Sequence, residues 1–295
     1  MITPRMSCFA IILELIRKIC SKTPSKRRPP FKLPQELVNT IISYIYDIAT
    51  LYSCSLTCRS WYYAATPHLH FSIEATNRRA PRHNQWPKPL QGRYELGLLP
   101  LIKRFSILGD STGVNFTLKD LDDGHNLQYF CALKHLRELR IDRLKLSICI
   151  PNVEQYFGHF APTLKTLALG APKASCRQIL YFVGLFPSLQ GLKLCDFNSA
   201  EDDETTRGMA LVPPSVPPLR HLTLERFTGE RFVDALIDVY GELCFRRLHL
   251  CEVECTQRLL DACADTLETL RLDPRDKYCK NFFKRAEVNG LQPTI

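Results

Sequence analysis

The chain has 295 residues and 13 cysteines, yet it contains no C-x-x-C pair, no G-x-G-x-x-G and no Walker-type glycine loop. The first absence removes the usual zinc and dithiol frames. The other two remove the backbone cradle that holds dinucleotides or nucleotide phosphates. A G-x-S-x-G elbow is missing as well, so a hydrolase of that type has no place for its nucleophile. His249, Cys251, Cys255 and Cys263 form one loose His/Cys group, but their spacing fits no common zinc frame. Acidic residues gather at Asp120, Asp122 and Asp123 and at Glu201, Asp202, Asp203 and Glu204; without a third group aimed at the same point, such runs read as solvated loops. No cofactor, metal site or enzymatic activity is therefore expected.

Long apolar runs are also lacking. Residues 8–16 are apolar except for Glu14, well short of the roughly twenty needed to span a bilayer. They have no small-residue cleavage site ahead of the basic run, which argues against a secretory signal. No membrane partner is expected. An odd, scattered set of cysteines is unlike a secreted disulfide scaffold, so reduced thiols and a cytoplasmic and/or nuclear location are expected.

A hydrophobic content of 45% and a charged content of 23% are those of a globular protein. The net charge of +9 is concentrated in residues 1–32, where eight basic residues face Glu14 alone. A nucleic-acid domain would carry its excess on a folded face. Here it sits on a proline- and serine-containing arm, and no nucleic-acid partner is expected.

Residues 33–61 form the best-patterned stretch. Pro34 suits a first helical position, where a missing N–H costs nothing, and Glu36 favours the positive end of the helix dipole. Leu37, Ile41 and Ile45 recur at helical spacing, flanked by Val38, Ile42 and Tyr44. After a break at 47–50 come Leu51, Cys54, Cys58, Trp61, Tyr62 and Ala65. This apolar surface is too wide for such short helices to bury among themselves. Pattern alone leaves open a helical cap on the rest of the chain.

The residue types narrow the choice. L-P-x-E-L, I-I-x-x-I and L-x-x-C-S-L-x-C-R-S-W closely resemble the F-box, carried by Leu33, Pro34, Glu36, Leu37, Ile41, Ile42, Leu51, Leu56, Cys58 and Trp61. Residues 67–73 are similar to the strand that follows the motif in many fungal members. Thr57 departs from the pattern, standing where the family usually has an aliphatic residue. The resemblance implies a three-helix module that docks on the Skp adaptor of an SCF-type ubiquitin ligase, and through it on a cullin, with those ten residues as the adaptor-binding set.

From residue 101 onward a frame of apolar-x-x-apolar-x-apolar recurs. It begins at Ile102, Leu136, Leu164, Leu189, Leu219, Phe245 and Leu267. The last two apolar positions are two apart, as strand alternation requires. Between frames, Ser175, Thr228 and Thr256 are candidate N-caps of helices, the second stopped at Gly241. Strand–helix–strand alternation at this period means parallel strands joined by crossovers. A doubly wound sheet would want near-continuous apolar strands and a glycine-rich turn. Repeated leucine frames instead resemble the leucine-rich repeat. The position eight after each first apolar residue departs from that family's Asn or Cys, holding Leu144, Pro172, Phe197, Phe227, Val253 and Arg275.

The fold class expected is α/β (α+β overall): a three-helix F-box followed by an irregular leucine-rich-repeat-like solenoid of parallel strands and helices. The organisation expected is a basic leader at 1–32, the F-box and first strand at 33–73, and a Pro/Arg-rich connector at 74–100. The solenoid follows at 101–274, interrupted by a loop at 198–218, and a tail closes the chain at 275–295. The two resemblances together imply a non-catalytic substrate receptor whose repeats bind an unknown client protein. Strand alternation turns Arg104, Arg140, Lys193, His221, Arg247, His249 and Arg271 to the concave face, with Glu138, Glu225, Asp273 and the small Ala168 and Gly170 among them. A client-binding surface of this kind suits an acidic or phosphorylated segment. The alternative is a leucine-rich interaction scaffold with no ligase role.

Overall fold

A computed structural model describes residues 33–76, 88–108, 127–144, 146, 153–198, 212–228, 230–253 and 256–272. The basic leader, the acidic run at 201–204, Asp273, Arg275 and the C-terminal tail lie outside them. The chain divides into two compact units at His70/Phe71.

The first unit holds three helices: α1 (Gln35–Ser43), α2 (Ile48–Ser55) and α3 (Arg59–Leu69). Pro34 is the N-cap of α1, one residue earlier than expected, with φ −52° and ψ 143°; its carbonyl accepts from the N–H groups of Leu37 and Val38. The expected break at 47–50 is instead the start of α2. Asp47 caps it, accepting from Thr50 N at 2.7 Å and Thr50 Oγ1 at 2.6 Å. Those bonds hold the Asp47 carboxyl below its ordinary pKa. The end of α3 runs through Pro67 to Leu69, where the sequence suggested a strand. Thr66 makes this possible, its carbonyl accepting from His70 N and its hydroxyl donating to Tyr62 O at 2.7 Å.

Val38, Ile42, Leu51, Ala64 and Ala65 are the buried centre of this unit, with Leu33, Ile45, Cys54, Trp61 and Leu69 packed around them. Burying each larger aliphatic side chain contributes about 1.5–3 kcal/mol. The inward stripe of α1 is Val38 and Ile42, continued by Ile45 just past the helix end. That leaves Leu37 and Ile41 on a flank that the unit does not fill.

The second unit is an eight-stranded parallel sheet whose strands add in chain order: β1 (Ser72–Thr76), β2 (Arg104–Leu108), β3 (Glu138–Asp142), β4 (Thr166–Gly170), β5 (Gly191–Cys195), β6 (His221–Phe227), β7 (Arg247–Val253) and β8 (Thr269–Leu272). The strand expected to close the F-box region is thus the first strand of this sheet, pairing Ile73 with Phe105. Residues 88–100 of the expected connector carry α4 (Lys88–Glu95) and most of a short 3-10 turn (Leu99–Leu101). Leu90 and Leu99 there are fully buried in the sheet's core.

The connections between later strands carry α5 (Leu127–Ala132), α6 (Val153–Phe157), α7 (Cys176–Gly184), α8 (Glu230–Tyr240) and α9 (Thr256–Cys263). Ser175 caps α7 in a reciprocal box with Gln178, which satisfies two otherwise orphaned N–H groups. Thr256 is the first helical residue of α9, not its cap.

Each strand repeats one local design. All second and third apolar positions of the frame are buried through β7, and those of β8 pack against the core from its edge. The residue before each strand presents one carbonyl to two successive N–H groups of the next. Lys103 O takes Arg137 and Glu138, Arg137 O takes Lys165 and Thr166, and the pattern continues to Arg246 O with Glu268 and Thr269. At the far end Arg143, Ala171, Asp196, Arg226 and Glu252 all have positive φ, between 43° and 61°. Each stands seven residues after its frame's first apolar residue. A left-handed non-glycine residue costs about 1–2 kcal/mol, but it bends the chain so that the next residue turns inward. Leu144, Phe197, Phe227 and Val253 are fully buried there, and Pro172 is buried too. Burial of those side chains offsets the strain.

Below the sheet, Phe105, Phe130, Phe157 and Phe182 form a chain of edge-to-face rings. Part of the expected 198–218 loop also belongs to this packing. Pro217 is buried, and Ser215 Oγ donates to Gly184 O at 2.5 Å.

Candidate functional site

Two surfaces remain open to partners, one on each unit. On the helical unit, Leu37 is 51% exposed and Leu56 85%. Pro34, Glu36 and Cys58 are also exposed, and Leu33, Ile41 and Trp61 are half-buried. Eight of the ten adaptor-set residues therefore offer surface. Ile42 and Leu51 do not, because helical spacing puts them on the inward face, in the buried centre of the unit. Sequence reasoning passed over Tyr46, Ile48, Tyr52 and Tyr63, which add large exposed apolar area; they lie off the main stripe and carried no periodic signal. Gln35 links the starts of α1 and α3, its Nε2 donating to Ser60 O at 3.2 Å while Ser60 Oγ donates to its Oε1. So many large apolar side chains left exposed on one small helical unit are what a protein-interaction surface presents.

On the sheet, one face is covered by the core and the other is open. Pairing brings the expected client-face residues into rows. Arg104 aligns with Glu138, Thr166 with Gly191, and His221 with Arg247. A second row runs through Arg140, Ala168, Lys193, Thr223, His249 and Arg271. Alternate positions on β2–β7 are buried, leaving these side chains half-buried or exposed.

Charge is not spread evenly along the face. Arg104 pairs with Glu138 across β2–β3, and its ring neighbour Phe71 lies 5.6 Å from the guanidinium carbon. Arg140 pairs with Asp142 at 3.1 Å, and Lys193 with Glu225 at 2.6 Å. Glu225 also accepts from Cys195 Sγ at 3.3 Å. Burial, then this contact with a carboxylate, pushes the Cys195 thiol up to about 12, so it is inert as a nucleophile at neutral pH. His221 sits below its ordinary value, first from burial and then from Arg247 and Arg220 nearby. Arg220, which the frame analysis did not single out, precedes β6 and enlarges the cationic end.

Among the described residues no group of three or more His, Cys, Asp or Glu side chains could hold a metal ion. No helix among them is long and apolar enough to cross a membrane.

An exposed apolar surface on the helical unit and an open polar face on the sheet unit are the two features a partner would meet. The helical unit has a family: the F-box-like model matches residues 31–74, so this stretch is an F-box-like domain. No curated protein matches the chain.

Proposed function

We propose that the protein is the substrate-recognition subunit of an SCF-type ubiquitin ligase. The observation that carries this reading is the F-box-like domain at 31–74, with Pro34, Leu37, Leu56 and Cys58 exposed on it. F-box domains typically bind Skp-type adaptors, and through the adaptor a cullin scaffold. In this reading the sheet unit is an irregular leucine-rich-repeat-like solenoid. Its support is the sheet of parallel strands in chain order and the recurrence of the same entry carbonyl and left-handed exit at successive strands. Solenoids of this kind present their open sheet face to ligands, and that face would hold the client.

The chain itself is non-catalytic in this scheme. Holding a client lysine beside a loaded conjugating enzyme supplies the rate by raising local concentration. No disulfide joins the eight described cysteines, in keeping with a cytoplasmic and/or nuclear setting. Neither nucleic acid nor membrane has a role here. The test is client turnover. Proteins captured by the intact chain should accumulate when residues 33–69 are deleted, while still binding the sheet unit. Capture without any change in their lifetime would favour an interaction scaffold outside the ligase.

A further inference from the structure

Resting on the reading of the sheet unit as the client-binding part, we infer that the β6–β8 end of the open face, built from Arg247 and Arg271 with His221 and Arg220 beside them, is the subsite that takes an anionic side chain of an extended client peptide.

The inference comes from how the face divides. On β1–β5 the described cations Arg104, Arg140 and Lys193 are each held by a carboxylate: Glu138, Asp142 and Glu225. An incoming anion would have to break one of those pairs. On β6–β8 no described carboxylate forms an ion pair with Arg220, Arg247 or Arg271, and Glu268 is engaged by Arg246 at 3.3 Å. His221 aligns with Arg247 and His249 with Arg271. Neighbouring strands are about 4.8 Å apart and alternate residues about 6.6 Å apart along a strand. Arg247 and Arg271 therefore stand on adjacent strands in successive rows, about 8 Å apart at the backbone, with His221 beside Arg247, and the two guanidinium groups can reach one phosphate or carboxylate by charge-assisted contacts.

Next to this group the face is flat. Gly191 sits beside His221 in the row, with Thr166 beyond it, and Ala168 occupies the adjacent row. An extended peptide has room to lie there while its anion rests over β6–β8. A nucleic acid is a poorer occupant: Glu74, Glu138 and Asp142 stud the rest of the face, and no Phe, Tyr or Trp stands on it among the strand residues. A continuous phosphate chain would meet carboxylates and find no stacking platform.

The test uses the full chain and three labelled peptides of one extended sequence, bearing paired phosphoserines, paired glutamates or paired serines, with a single-stranded oligonucleotide as the fourth probe. The phosphoserine and glutamate peptides should bind and the serine peptide should not; which of the two is tighter tells phosphate from carboxylate as the natural group. Arg247→Glu and Arg271→Glu should each weaken binding by about tenfold or more, while Arg258→Glu, on α9 and paired with Asp234, should leave it unchanged. Equal binding of the serine peptide, equal loss with Arg258→Glu, or tighter binding of the oligonucleotide through Arg247 and Arg271 would each overturn the assignment. Hydrogen exchange of β6–β8 in each variant separates lost binding from lost folding. If clients still depend on the F-box-like domain while these variants bind normally, the subsite is wrong and the receptor reading stands. If peptides bind as described but no client is turned over, the receptor reading fails alone.

Discussion

Lys193 Nζ lies 2.6 Å from Glu225 Oε1, bridging β5 and β6, and this pair divides the open face. On the β1–β5 side each described cation of the face, Arg104, Arg140 and Lys193, is held by a carboxylate; on the other side Arg247 and Arg271 form no ion pair with a described carboxylate. Glu225 serves two neighbours at once, because its second oxygen accepts from Cys195. Glu225→Gln should therefore do two things. Stability should fall by no more than about 1 kcal/mol, since the pair is partly exposed. The Cys195 thiol should also drop from about 12, since the carboxylate that disfavours the thiolate is gone. Faster alkylation of Cys195 at pH 8–9 than in the parent would confirm the link, and an unchanged rate would refute it.

His221 should titrate below its ordinary 6.5. Burial and the charges of Arg247 and Arg220 disfavour its protonated form, with Glu268 opposing them. Because the folded value lies below the unfolded one, the group's contribution to stability is complete above about pH 6.5 and is lost as pH falls through the folded value. Arg247→Ala should move the His221 midpoint upward in an NMR titration. No movement would mean that burial alone sets it.

Gly184 has no room for a side chain: a Cβ there would lie 2.8 Å from Pro213 Cβ and 2.9 Å from Ser215 O. Gly184→Ala should cost about 1–3 kcal/mol in chemical denaturation. Ser215→Ala, which removes only the hydroxyl bond to Gly184 O, should cost about 0.5–1.5 kcal/mol. Full stability in both would show that residues 212–218 do not hold to α7.

Ala171 has φ +43°, whereas Ala168 lies in the middle of β4. The same change at the two sites should have opposite signs. Ala171→Gly should stabilise by roughly 0.5–1 kcal/mol and Ala168→Gly should destabilise by a similar amount. Destabilisation at both would remove the left-handed exit from the account.

These exits also show where the sequence was legible and where it was not. The frame positions such as Leu139 and Ile141 could be read directly, because period-two apolar spacing is the pattern that strand burial requires. Arg143, Ala171, Asp196, Arg226 and Glu252 could not, since no glycine marks the left-handed turn at any of them. The apolar residue that follows each was visible only as a missing asparagine; its meaning came from the bend. β1 was hidden in the frame count because His70 stands where the first apolar residue belongs and Ala75 is small. On the helical unit Leu37 and Val38 are neighbours of like character, so periodicity left open which of the two faced inward. Ion pairs such as Lys193–Glu225 join residues 32 apart and depend on strand register, which single-sequence spacing does not fix.

The central claim is that the exposed apolar surface of the F-box-like domain docks an adaptor. The most direct measurement is the affinity of the full chain for a purified Skp-type adaptor, compared with a Leu37→Ala/Leu56→Ala variant. Both side chains are largely exposed, so truncation should leave the helical unit folded. Apolar anchors at the centre of such an interface cost about 2 kcal/mol or more each, so the double variant should bind at least about a hundredfold more weakly. Equal affinity of the two proteins, or no binding by either, would contradict the account.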